Sequence, residues 1–186
     1  MRARIGAGSL ELRRGDITRE GVDAIVTAAN SALAGGGGVD GAVHRAAGPE
    51  LLAECRKIGG CPTGDAVATP PGRLPVRAVV HAVGPVYGAC GGREDELLAR
   101  AHRRALEVAG EAGCRSIAFP AISCGVYGFP VERAARIALE TIRDHLLGGS
   151  PPHEVRYVLF GARELEVFRG ALRELVERDP RVVLGG

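Results

Sequence analysis

The chain has no tryptophan, and only three tyrosines and four phenylalanines in 186 residues. A surface that stacks successive bases needs aromatic faces along a basic groove, and neither is present. Acidic and basic residues nearly balance, 22 against 24, leaving a formal charge of +2 with both signs spread along the chain. That is not the basic stripe of a nucleic-acid-binding protein. Lysine is almost missing as well: Lys57 stands alone beside 23 arginines, a bias in which we read no function. The five cysteines, Cys55, Cys61, Cys90, Cys114 and Cys124, contain no C-x-x-C pair. An odd, unpaired set argues against a disulfide framework or zinc ribbon and for a reducing compartment. Long apolar runs are also absent. The uncharged stretch from Ser116 to Val131 is too short for a membrane span and contains Pro120, Gly125, Gly128 and Pro130. The opening MRARIGAGSLELRRGD has no apolar signal core. The expectation is a soluble, cytoplasmic protein with neither a membrane nor a nucleic acid as partner.

What is present is enough for one globular domain. Leu, Ile, Val and Phe make up about a quarter of the chain, above the roughly 20 % below which disorder sets in. Short apolar runs, Leu10–Arg13, Ala24–Ala29, Val76–Val83, Ser116–Pro120 and Val155–Phe160, read as strands. AIVTAA and SIAF are continuous rather than alternating, as expected for strands covered on both faces. Helical stripes run through Glu94–Glu111, through the segment after Pro130 (Val131, Ala135, Leu139, Ile142, Leu146) and through Ala162–Glu177. Pro130 sits at a first-turn position and Gly148 at a stop. The alternation predicts a three-layer α/β/α sandwich with a mixed, largely parallel sheet, and early strands are candidates for an antiparallel edge. The single domain is expected over residues 1–178, with 179–186 a loose tail in which Val182–Leu184 is a candidate edge strand.

Glycine is the surplus, 28 residues and about twice the roughly 7 % norm. Two clusters follow strands. After AIVTAAN comes Ser31-Ala32-Leu33-Ala34 and then Gly35 to Gly38, Val39, Asp40 and Gly41; after SIAFPA comes Ile122-Ser123-Cys124-Gly125-Val126-Tyr127-Gly128. A strand, a glycine loop and a helix start leave backbone N–H groups free without Cβ obstruction, and a phosphate is the natural guest. No Walker A motif exists. Gly36, Gly38 and Gly41 satisfy G-x-G-x-x-G, but four consecutive glycines make that match cheap, and it does not start at the strand end as a dinucleotide-binding turn does.

Taken with Gly15-Asp16-Ile17-Thr18, His44-Arg45-Ala46-Ala47-Gly48-Pro49, Cys61-Pro62-Thr63-Gly64, Val79-Val80-His81-Ala82-Val83-Gly84-Pro85 and Ala118-Phe119-Pro120-Ala121-Ile122-Ser123, the chain resembles a macro domain. These segments span about three quarters of the chain in order. GGGGVDGxxHRAAG is similar to the MacroD-type branch, which hydrolyses ADP-ribose conjugates. The resemblance implies a sheet of six or seven strands, no cofactor and no metal, and ADP-ribose or an ADP-ribosylated protein or metabolite as partner. It implies that Asp16 accepts from the adenine amino group beside the Ile17 N–H, and that Phe160 stacks on the adenine. Ser123, Cys124, Gly125, Val126 and Tyr127 would cradle the pyrophosphate, with Tyr127 against the distal ribose. Gly37, Gly38 and Val39 would approach from the other side, and Asn30 would hold the ribose hydroxyls. Asp40 would position the attacking water, and His44, four residues on, would orient Asp40 or the water.

Each residue also has a plainer role open to it. Asp16 suits a helix N-cap, Phe160 a core position and His44 a capping contact. A carboxylate at a helix N-terminus is stabilised as the anion and is a weak base, which favours water positioning by Asp40 over strong general-base catalysis. Two positions depart from the family pattern. Thr27 stands where Asn is usual, which puts catalysis in question, and Cys124 stands where Thr is common. Cys124 reads either as a nucleophile with a lowered pKa or, preferably, as a small side chain fitting the loop. The leading expectation is an ADP-ribosyl ester hydrolase and O-acetyl-ADP-ribose deacetylase. The alternatives are a non-catalytic ADP-ribose reader and an ADP-ribose 1″-phosphate phosphatase.

Overall fold

The computed structural model describes residues 1–185. In chain order the elements are β1 (Arg2–Ile5), β2 (Gly8–Arg14), a 3₁₀ turn (Ile17–Arg19), β3 (Ala24–Ala28), α1 (Gly38–Ala47), α2 (Pro49–Ile58), β4 (Ala66–Thr69) and β5 (Ala78–Ala82). There follow α3 (Glu94–Glu111), β6 (Ser116–Phe119), α4 (Val131–Gly148), β7 (Glu154–Leu159), α5 (Ala162–Arg178) and β8 (Val182–Leu184). The strands form one mixed sheet in the order β4-β5-β3-β6-β7-β2-β1-β8. Its centre, β5-β3-β6-β7-β2, is parallel, and the edges are antiparallel.

The described residues form eight strands rather than the expected six or seven. RARI beside β2 and AVAT at the edge have no counterpart among the expected strands, because four residues are too few for a period to emerge. The segment expected as a tail carries β8, which pairs with β1 from Ala3↔Leu184 to Ile5↔Val182. Gly186 lies outside the described residues. At the start of α4 the proline is the cap rather than a helical residue, and the stop is Gly149, in the left-handed region at φ 76°, where only glycine is unstrained.

The strand alternation divides the core in two. Ala24 and Val26 of β3, Val80 of β5 and Ile117 and Phe119 of β6 face α3, α4 and α5. Ile25, Val79 and Ala118 face α1 and α2 with Val43, Ala47 and Leu51. Thr27 and His81 continue the second series: they are register partners on β3 and β5, and both are buried. Two polar side chains therefore stand beside each other under α1. None of the described helices is long and apolar enough to cross a membrane.

Candidate functional site

The parallel strands β3, β6, β7 and β2 end at the same edge, where ligands of open α/β sheets bind. The two glycine loops meet there because β3 and β6 are paired, Ala24 with Ile117 and Ile25 with Ala118. The first loop enters α1 through Gly37, a cap without a side-chain hydrogen bond. Gly38, Val39 and Asp40 thus present the first N–H groups of a helix, which have no acceptor within it. Gly38 holds φ 56°. Gly41 must lack a side chain, since a Cβ there would lie 2.6 Å from the Gly36 carbonyl oxygen.

The second loop closes on itself through Gly128 N–H to Gly125 O (3.0 Å) and Phe129 N–H to Ser123 O (2.9 Å). The N–H groups of Gly125, Val126 and Tyr127 have no partner among the described residues. Ser123 sits at φ 64°, unusual for a residue with a side chain, and its buried hydroxyl has no hydrogen-bond partner among the described residues. The Tyr127 carbonyl accepts from Tyr87 N–H at 2.8 Å, and Tyr87 packs edge-on against Phe129. Tyr87, which the sequence reading passed over, therefore ties the segment after β5 to this loop.

Two apolar side chains flank the edge without protein cover: Val126 is fully exposed and Phe160 85 % exposed. Phe160 is not core; β7 ends at Leu159, so the ring lies just beyond the sheet. Asp16 follows the adjacent strand, with Gly15 N–H bonded to Leu159 O at 3.0 Å. The Asp16 Oδ1 caps the 3₁₀ turn, accepting from Thr18 N–H (3.0 Å) and from the Thr18 hydroxyl (2.7 Å). Those bonds, the hydroxyl's first, hold its carboxyl below the usual range. The Ile17 side chain is buried, so only its main chain is on offer.

Asn30 staples the first loop: Nδ2 donates to Gly35 O at 2.8 Å, and Oδ1 accepts from Ala34 N–H at 3.1 Å. Each end of the amide keeps one further hydrogen-bonding position. Asp40, on the first turn of α1, is 5 % exposed. Its Oδ1 accepts from the Thr27 hydroxyl at 2.8 Å, with His44 Nε2 at 3.6 Å. A Cβ on Gly36 would lie 3.8 Å from Asp40 Oδ2 and 3.9 Å from Asn30 Nδ2. Both polar atoms therefore border the bare Cα of Gly36. Burial raises the Asp40 pKa, opposed by the Thr27 hydrogen bond and by the His44 charge. That corrects the expectation of a carboxylate stabilised by its helix terminus: desolvation is the larger influence.

At Cys124 burial again dominates. Burial pushes its thiol up to about 12, with Glu164 and Glu132 adding to the effect. It stays protonated, and the small-side-chain reading of this position stands.

Behind Asp40 lie three residues with metal-binding side chains, His44, Cys55 and His81, their ligand-type atoms within 4.8 Å of one another. Cys55 Sγ is 3.7 Å from His81 Nδ1 and 3.8 Å from Nε2. Near-equal distances place the sulfur off the lone-pair axis of both nitrogens. The Thr69 hydroxyl also takes Nε2 at 2.9 Å. Burial lowers the His81 pKa to about 4, helped by His44, so His81 stands neutral behind the carboxylate. Its sequence signal is a histidine inside the otherwise apolar run VVHAV. A separate groove of about 1000 Å³ between α3 and α4 contains none of these residues.

The family model described as "Macro domain" matches residues 26–138. A macro domain-containing protein of Caldanaerobacter subterraneus is 52 % identical over 170 residues, covering 89 % of this chain and 97 % of the relative. An O-acetyl-ADP-ribose deacetylase of Escherichia fergusonii is 48 % identical over 169 residues, covering 89 % and 96 %. A mutant macrodomain of Oceanobacillus iheyensis, solved with ADPR, superposes with a TM-score of 0.91 at 42 % identity, over 95 % of this chain and 98 % of the other. The chain belongs to the macro domain family.

Proposed function

We propose that this protein binds ADP-ribose across the strand ends and hydrolyses esters at its distal ribose. The substrates are ADP-ribose linked to acidic protein side chains and O-acetyl-ADP-ribose, with no metal. The observation that carries this reading is that Asp40 Oδ2 and Asn30 Nδ2 both lie on the open side of Gly36, next to two sets of free backbone N–H groups. Such groups suit a pyrophosphate, and a water beside Gly36 would be oriented by an acceptor and a donor together. Phe160 and Asp16 would take the adenine at the other end, Ser123 to Tyr127 with Gly37, Gly38 and Val39 the pyrophosphate. The solved relative with ADPR and the related deacetylase support both parts.

Asp40 acts by holding the water. A retained proton at low pH would remove the acceptor, so activity should fall on acidification. Calorimetry with ADP-ribose, AMP and NAD tests binding, and absence of ADP-ribose binding would sink the whole reading. Hydrolysis of O-acetyl-ADP-ribose and of mono-ADP-ribosylated protein by wild type and Asp40→Ala tests the chemistry. Equal rates would remove Asp40 from it.

A further inference from the structure

We propose that Thr27 is a positioning residue: with His44 it commits one oxygen of Asp40 to the protein, so that the other alone faces the water. This rests on the assignment of Asp40 as the residue that holds that water. The geometry divides the carboxylate. Oδ1 receives the Thr27 hydroxyl at 2.8 Å and lies 3.6 Å from His44 Nε2, whereas Oδ2 lies on the Gly36 side.

Thr27 can hold Asp40 because of where β3 places it. It follows Ile25 on the face covered by α1 and α2 and is fully buried. A β-branched side chain in a strand has little rotamer freedom, so the hydroxyl is aimed once and stays aimed. Its only role toward a carboxylate is to donate. A donor on Oδ1 favours the ionised form, offsetting the burial that disfavours it. The other titratable groups on elements packed around Asp40 are His44 on α1, Cys55 on α2 and His81 on β5. Of these, only His44 bears on Asp40 with a charge of opposite sign. At position 27 of this chain the carboxylate is thus supported by a hydroxyl donor.

The test compares wild type, Thr27→Ser and Thr27→Val in two readouts. One is the pH profile of O-acetyl-ADP-ribose hydrolysis with ADP-ribose affinity measured alongside; the other is the Asp40 carboxyl titration followed by ¹³C NMR. Thr27→Val should lower kcat ~10–100-fold, the effect of one hydrogen bond to a charged group, with ADP-ribose affinity unchanged. Its acid limb and its Asp40 titration should both move to higher pH, and Thr27→Ser should restore both. Unchanged kcat and titration in Thr27→Val, or a loss that serine does not rescue, overturns the proposal. If wild type hydrolyses nothing while the Asp40 titration still moves in Thr27→Val, the assigned reaction fails and the hold of Thr27 on Asp40 stands.

Discussion

The Ser123 hydroxyl occupies the place a side chain on Gly84 would need. Gly84 follows β5 and Ser123 follows β6, so the two strand ends lock together only with a glycine at position 84. A Cβ there would overlap the hydroxyl and come within 2.5 Å of Ile122 Cγ2. Gly84→Ala should therefore destabilise the protein by about 1–3 kcal/mol, as overpacking does, and weaken ADP-ribose binding by shifting the second loop. Urea unfolding and calorimetry read the two effects. Unchanged affinity in a destabilised variant would detach Gly84 from the loop.

Ser123 itself carries a cost. Its left-handed backbone and unpartnered buried hydroxyl each destabilise the fold by about 1 kcal/mol or more. The added freedom of a glycine takes back about half to one of that. Ser123→Gly should raise stability by about 1 kcal/mol, seen as a higher urea midpoint at unchanged slope. A lower midpoint would show that the hydroxyl has a partner in solution.

Phe160 separates binding from folding. At 85 % exposed, its removal should change stability by less than about 0.5 kcal/mol. Loss of stacking on a base costs about 1–3 kcal/mol, so Phe160→Ala should weaken ADP-ribose about 5- to 150-fold. Ribose 5-phosphate, which has no base, should bind wild type and variant alike. Equal ADP-ribose affinity in the two proteins would move the adenine elsewhere.

Acid should weaken the fold through two histidines. Burial lowers His81 and His102 to about 4 from 6.5. Between those values the unfolded chain binds more protons than the folded one, so stability is complete above pH 6.5 and is lost as pH falls toward 4. The loss is about 3 kcal/mol per histidine at most. Urea midpoints from pH 7 to 4 should fall accordingly, and NMR should show both rings neutral at pH 5.5. Ordinary titration near 6.5 would refute the assignment.

Asp40 gives the opposite sign. Its raised value means that the folded protein binds more protons than the unfolded chain above pH 3.8, so its contribution declines as pH rises. Asp40→Asn, which can still accept from Thr27, should be more stable than wild type at pH 7 and lose that advantage near pH 3.8, while hydrolysis is lost. Equal stability at neutral pH would mean that the carboxylate is fully compensated.

Much of this was legible in one dimension, and the reason is locality. Long helices such as α3 show their stripe over 18 residues, and AIVTAA names a covered strand through its lack of alternation. Asp40 stands out beside the run of glycines, and Asn30 at the end of the strand segment that leads to it. The bond between Thr27 and Asp40 has no such signature, since it joins a strand to the helix after the loop and depends on which face Thr27 takes. The same holds for Gly84 with Ser123, 39 positions apart along the chain and in contact only once β5 and β6 flank β3. The charge at Asp40 was misjudged for a related reason: desolvation belongs to the packed fold, whereas a helix terminus can be read from a string of letters.

The free N–H groups at the strand ends belong to the main chain, and that decides how they respond to mutation. Alanine scanning would pass over them, since Val126→Ala or Val39→Ala leaves every N–H in place. The vulnerable positions are those where the trace of the chain needs glycine, such as Gly38 at φ 56° and Gly128 at φ 70°. A survey by side-chain truncation would report this edge of the molecule as inert, whereas one that adds bulk would find it.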